Sequence, residues 1–275
     1  MNGYVSMPLL GYNLKSRTKN FIIWTLVSVC LFILIVVMFT NLLNAGLPEF
    51  IGDMLSSVPT SVSGSEQPGE LPDFKDFGVN FGVCMQLMLI VGCVYASYLG
   101  ASANTGSRGD NDITFIYSMP VTRVTTVLTS FAAQFVILLF YNIVVFVVSL
   151  GVIYSNNKMN YIGRIAFAVL AFLLIETIYL SVSFLLATFM NTSSQASSIS
   201  AVMVTITVLF GLVGSLSPAL NALTFLSPYK YISIYSIVSG GSSMFFIGII
   251  AGVVVSIISI VVSCVRYDKI DFLLD

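Results

Sequence analysis

Glu176 is the one charged residue deep inside an apolar run of the sequence, between Leu173-Leu174-Ile175 and Thr177-Ile178-Tyr179. A carboxyl in such surroundings is costly enough that it has to face a protein interior or a watery cavity, which makes it a candidate for a substrate path or for a proton or cation site. The competing reading is a structural hydrogen bond to a neighbouring helix. Gln134 and Asn142, in another apolar run, join it as candidate path residues. They and Gln86 also suit ordinary interhelical hydrogen bonds of about 1 kcal/mol each.

Much other chemistry is excluded by missing residue types. Histidine is absent, which removes the commonest neutral-pH acid/base group and the commonest metal ligand. A Ser-His intramembrane protease is ruled out, and Glu176 has no carboxylate companion within the apolar runs. Cys30, Cys84, Cys93 and Cys264 all fall in apolar runs with no CxxC pairing, so they read as small buried hydrophobes rather than zinc or redox ligands. No GxxxxGK[ST] loop occurs, so nothing in the chain can cradle ATP phosphates. Ser239-Gly-Gly-Ser-Ser243 reads as a flexible link. A net charge of -1 offers no basic field for nucleic acid. The chain is expected to be no enzyme and to bind no metal or cofactor itself.

The elements that carry these residues follow from composition. Of 275 residues 57% are hydrophobic and 8% charged, against about half and about a quarter in a soluble domain. A helix needs roughly 20 apolar residues to cross a bilayer core. Six runs meet that standard, at 21–43, 77–100, 124–153, 165–190, 196–216 and 245–265. They lack the alternation of a membrane β-barrel. The first is too long for a secretory signal. The expected fold is all-α integral membrane, one transmembrane domain over 1–275, with an N-terminal interfacial helix at 1–20. There Leu10, Leu14 and Ile22 stand among Lys15, Arg17 and Lys19. Trp24 suits an interfacial anchor.

Charge sets the orientation. Lys15, Arg17, Lys19, Arg108, Arg123, Arg266 and Lys269 share one side, against Lys75, Lys158, Arg164 and Lys230 on the other, so both termini are expected in the cytoplasm. The loop 44–76, with Glu49, Asp53, Glu66, Glu70, Asp73 and Asp76, is then external and solvated. No convincing internal repeat supports a transporter built from two similar halves. Between Ser217 and Ser243 the chain is too broken by Pro218, Pro228, Gly240 and Gly241 to span, yet rich enough in aromatics to dip into the outer interface. Gly78 with Gly82, and Gly248 with Gly252, have the spacing of close helix contacts.

The one sizeable polar segment between helices on the inner side is Arg108 to Arg123. Asp110 can cap a helix, Asp112 would complement its dipole and Pro120 marks its expected end. Ile113, Ile116 and Tyr117 share one face of the short amphipathic helix that results. With Phe115-Ile116-Tyr117-Ser118-Met119-Pro120-Val121-Thr122-Arg123 behind the acidic residues, this segment resembles the first cytoplasmic loop of the membrane subunit of type 2 ABC exporters.

That resemblance, which extends to the six-span layout, implies a cytoplasmic coupling helix docking on a separate ATP-binding cassette subunit through Asp110, Asp112, Ile113, Phe115, Ile116, Tyr117, Pro120 and Arg123. ATP and Mg would sit in that partner. It further implies a second permease subunit, in a homodimer, and location in a bacterial cell membrane. Short external re-entrant helices would precede the last span, with Tyr229, Tyr231 and Tyr235 at an external gate, an aromatic belt being the other reading. An apolar cavity with few charges suits an amphipathic or hydrophobic peptide, with a drug or lipid as alternatives. Outside the resemblance stands an ATP-independent secondary transporter or channel using Glu176.

Overall fold

The computed structural model describes residues 6–44, 76–109, 122–190, 192–214, 218–240 and 246–269. Helix α1 is Met7–Asn44, α2 Phe77–Gly109, α3 Arg123–Ser155, α4 Ile162–Thr188, α5 Ser193–Gly214, α6 Ile234–Ser239 and α7 Phe246–Lys269. Short 3-10 segments occupy Met159–Tyr161, Pro218–Leu226 and Pro228–Lys230. All helices except α6 are long and apolar enough to cross a membrane, giving six spans, and no strand occurs among the described residues. The protein is therefore an all-α, multi-pass membrane protein.

The helices differ from the expected spans mainly at their ends. Residues 7–20, expected as a separate interfacial helix, run without a break into the first span, so that α1 has 38 residues. No proline or glycine falls between Tyr12 and Asn44, so nothing local stops the helix once it has started. At 1.5 Å per residue it is about 57 Å long, well beyond a hydrocarbon core of about 30 Å. Its first turns lie on the last turns of α2 and the first turns of α3. The Ser6 amide donates to Thr129 Oγ1 at 3.1 Å, Arg17 Nη2 to the Ser102 carbonyl at 2.5 Å, and Asn20 Nδ2 to the Tyr98 hydroxyl at 3.2 Å. Trp24 packs in tilted contact with Tyr95 and Tyr98 of α2, with centroids 5.5 and 5.7 Å away.

Helices α2 and α4 form the centre of the bundle and make the most extensive helix pair in it. Gly92, Ala96 and Gly100 recur every fourth residue on one face of α2, so the backbones approach closely. A methyl group at Gly100 would meet the Leu180 carbonyl and the Phe184 amide of α4, and one at Gly92 would meet the Glu176 carboxyl. Around this pair α1 packs on α3 and α2, α5 on α2, and α7 on α4 and α3. The glycines flagged in the sequence also serve contacts within the chain: Gly78 faces Tyr161, Gly82 faces the Tyr235 backbone, and Gly252 faces Ile178.

Candidate functional site

In the middle of the bundle Glu176 is wholly buried, its position on α4 fixed by the α2 contact. Asn142 of α3 donates from Nδ2 to Glu176 Oε2 at 2.5 Å and to the Leu138 carbonyl at 3.1 Å. The other carboxyl oxygen, Oε1, lies against Gly92, where only a hydrogen leaves room for it. Tyr95 and Tyr141, whose rings are 4.9 Å apart, are electrostatic neighbours of the carboxyl. Two of the three polar residues singled out for a path therefore meet. The third, Gln134, is eight residues before Asn142 on α3, about 12 Å along the helix axis. All three share one property: Glu176 Oε1, Asn142 Oδ1 and Gln134 Oε1 are buried acceptor oxygens with no hydrogen-bond partner. Such atoms are uncommon in a folded chain, because an unmet buried polar group costs about 1–3 kcal/mol. Among the described residues no group of His, Cys, Asp and Glu is arranged to hold a metal ion.

At the end of the bundle away from the first turns of α1, residues 218–240 pack over the helices. Tyr229 and Tyr231 are buried and Tyr235 is half-buried. The Tyr229 hydroxyl donates to the Gln86 carbonyl at 3.2 Å and the Tyr231 hydroxyl to the Phe225 carbonyl at 2.7 Å. Both tyrosines are thus turned into the protein, where burial pushes their phenols above the ordinary pKa.

Helix α6 begins at Ser233, whose Oγ accepts from the Ser236 amide, and ends at Gly240 in the left-handed conformation, φ 101°. Its first amides also point at α2: Gln86 Oε1 accepts from Ile234 N at 2.9 Å and Tyr235 N at 3.3 Å. Its last carbonyls face α4, where Arg164 Nη1 donates to the Val238 carbonyl at 3.4 Å and the guanidinium covers Gly240. Arg164 also lies over the Tyr161 ring, 5.3 Å from its centroid. Nearby, the Lys230 stem crosses Gly211 of α5, and burial lowers the pKa of its ammonium.

Of the expected coupling segment, Asp110, Asp112, Ile113, Phe115, Ile116, Tyr117 and Pro120 lie outside the described residues. The borders of that segment are in view. Helix α2 runs to Gly109, and α3 starts at Arg123, capped by Thr122 Oγ1, which accepts from the Thr125 amide at 3.3 Å.

Sequence reasoning missed Gly92, Gly100 and Arg164. The first two carried a readable signal, since Gly92, Ala96 and Gly100 repeat a small residue at intervals of four. Arg164 carried none, because its role depends on a helix end 74 residues further on.

Six spans around a buried polar centre make this a multi-pass membrane protein with the architecture of a transporter's membrane subunit. The sequence matches the family model described as ABC-2 family transporter protein over residues 14–272, and the chain belongs to that family. Membrane subunits of this family normally work with an ATP-binding subunit. No curated protein gives a match.

Proposed function

We propose that the chain is the permease subunit of a bacterial ABC exporter, with both termini in the cytoplasm, paired with a second copy and driven by a separate ATP-binding subunit. Family membership over nearly the whole chain carries the reading. The sequence holds no phosphate-binding loop, so in this reading ATP is bound by the partner. ATP closes the nucleotide subunits, the coupling segment Asp110 to Met119 moves with them, and the spans shift a central path outward. Within that path Glu176, Asn142 and Gln134 offer spare acceptor oxygens in otherwise apolar surroundings. Unmet acceptors suit a cargo that brings N–H donors on an apolar body, which favours an amphipathic or hydrophobic peptide over a lipid or drug.

Co-expression with the cognate ATPase tests the coupling assignment. Ile116→Asp with Tyr117→Asp is expected to abolish both the purified complex and ATP-driven export. Retention of both would remove the docking role. A second reading, an ATP-independent transporter with Glu176 as its proton or cation site, is favoured by the unpartnered Glu176 Oε1. Proteoliposomes of the chain alone, given an ion gradient, separate the two: uptake without ATPase supports the second reading, and no uptake supports the first.

A further inference from the structure

The outer segment holds α6 by both ends, and the two holds come from different spans. Gln86 of α2 takes the first two amides of α6, and its own backbone carbonyl takes the Tyr229 hydroxyl six residues before Tyr235. One residue thus engages the segment at both Tyr229 and the start of α6. Close backbone contact backs this up, because Gly82, one turn before Gln86, lies directly under the Tyr235 carbonyl and Cα. At the far end Arg164 of α4 takes the Val238 carbonyl. Helices α2 and α4 are in turn locked face to face through Gly92, Ala96 and Gly100.

Single hydrogen bonds in membranes are weak, commonly below about 1 kcal/mol. Here, however, one side-chain oxygen accepts from two aligned amides at a helix start, where no intrahelical acceptor competes for them. A side-chain acceptor at that place does what a capping residue does, from another helix.

From this geometry we infer that Gln86 is a positioning residue whose side chain fastens α6 to α2, beside the bond that Tyr229 makes to its backbone carbonyl, so that the outer segment travels with that span instead of opening as a separate flap. Helix α2 is one unbroken helix of 33 residues from Phe77 to Gly109. It therefore links the inner polar segment that follows it to the outer cover as a single rod. The inference rests on the exporter reading above, since that reading supplies the inward push. In consequence, displacement of the inner end of α2 reaches the outer cover through Gln86, and Tyr229 stays buried against α2 while it moves.

The test uses the full complex with its ATPase, comparing wild type, Gln86→Met and Gln86→Glu. Methionine keeps the side-chain length and removes the acceptor, whereas glutamate retains acceptor oxygens and adds a charge favourable to a helix start. Gln86→Met is expected to speed hydrogen exchange of the Ile234 and Tyr235 amides and to lower ATP-driven export about tenfold, the order expected from losing two such bonds. ATP hydrolysis by the same complex should stay within about twofold of wild type, because the nucleotide subunits are untouched. Gln86→Glu is expected to restore slow exchange and export.

Faster exchange with undiminished export would overturn the inference, as would export and hydrolysis falling together, or a failure of Gln86→Glu to rescue. If wild type shows no ATP-driven export, the exporter reading fails on its own. Slow exchange at Ile234 and Tyr235 that depends on residue 86 would still stand as evidence for the fastening.

Discussion

Adding one methyl group at Gly92 probes the central packing directly. In Gly92→Ala the new carbon meets Glu176 Oε1 at well under contact distance, with the carboxyl carbon 3.1 Å away. Either the Glu176 side chain turns aside and gives up Asn142, or α2 and α4 move apart along their whole interface. Overpacking of this kind costs about 1–3 kcal/mol, and the lost interhelical hydrogen bond adds about 1 kcal/mol. Alanine returns about 1 kcal/mol because glycine is the poorer helix former. The net cost is about 1–3 kcal/mol, which at about 2–4 °C per kcal/mol for a chain of this size lowers Tm by about 2–12 °C.

The assay is thermal unfolding in mild detergent beside Gly151→Ala. That control glycine, on α3, has nothing within 4 Å of an added carbon, so it gains only helix propensity. A double mutant completes the argument, because Glu176→Ala removes the group that the methyl strikes. Gly92→Ala should therefore cost much less in that background, a positive coupling of the kind seen between touching residues. If Gly92→Ala is as stable as Gly151→Ala, or the two losses simply add, the close approach of Gly92 to Glu176 is wrong.

Two further outcomes follow from the same contacts. Glu176→Gln keeps an oxygen for Asn142 Nδ2 to donate to, so folding and complex assembly should be unchanged while the export rate falls several-fold; a variant that fails to assemble would make Glu176 structural. Burial holds the Lys230 ammonium below its ordinary value of 10.5, so in the alkaline window beneath 10.5 the unfolded chain binds more protons and stability rises with pH. Lys230→Met should flatten that rise and stabilise the protein at neutral pH, as read from Tm against pH; an unchanged slope would refute the burial argument.

The spans were legible because run length and polarity are properties of the chain itself: Phe77, for instance, begins both the expected and the observed second helix. Glu176 stood out for the same reason, as a lone charge among apolar neighbours. Its partner did not, since nothing local to Asn142 says which face of α3 meets α4. The continuity of α1 through residues 7–20 was missed because its basic and polar residues mimic a surface helix, whereas Arg17 and Asn20 spend their polarity on Ser102 and Tyr98. The tyrosines of the outer segment were marked by their type, but their inward orientation depends on Gln86 and on the Phe225 carbonyl, which no spacing reveals.

Helix α1 is the most hydrophobic of the spans and the least covered by the rest of the chain. As the nascent polypeptide emerges, such a segment partitions into lipid on its own strength, before any of its neighbours exists. Asn13, Arg17 and Asn20 then find Ser130, Ser102 and Tyr98 only after the second and third spans have been made. Biogenesis thus has two stages for this helix, an early solitary insertion and a later docking. Substitutions along its first turns should be felt in the second stage, as insertion without assembly.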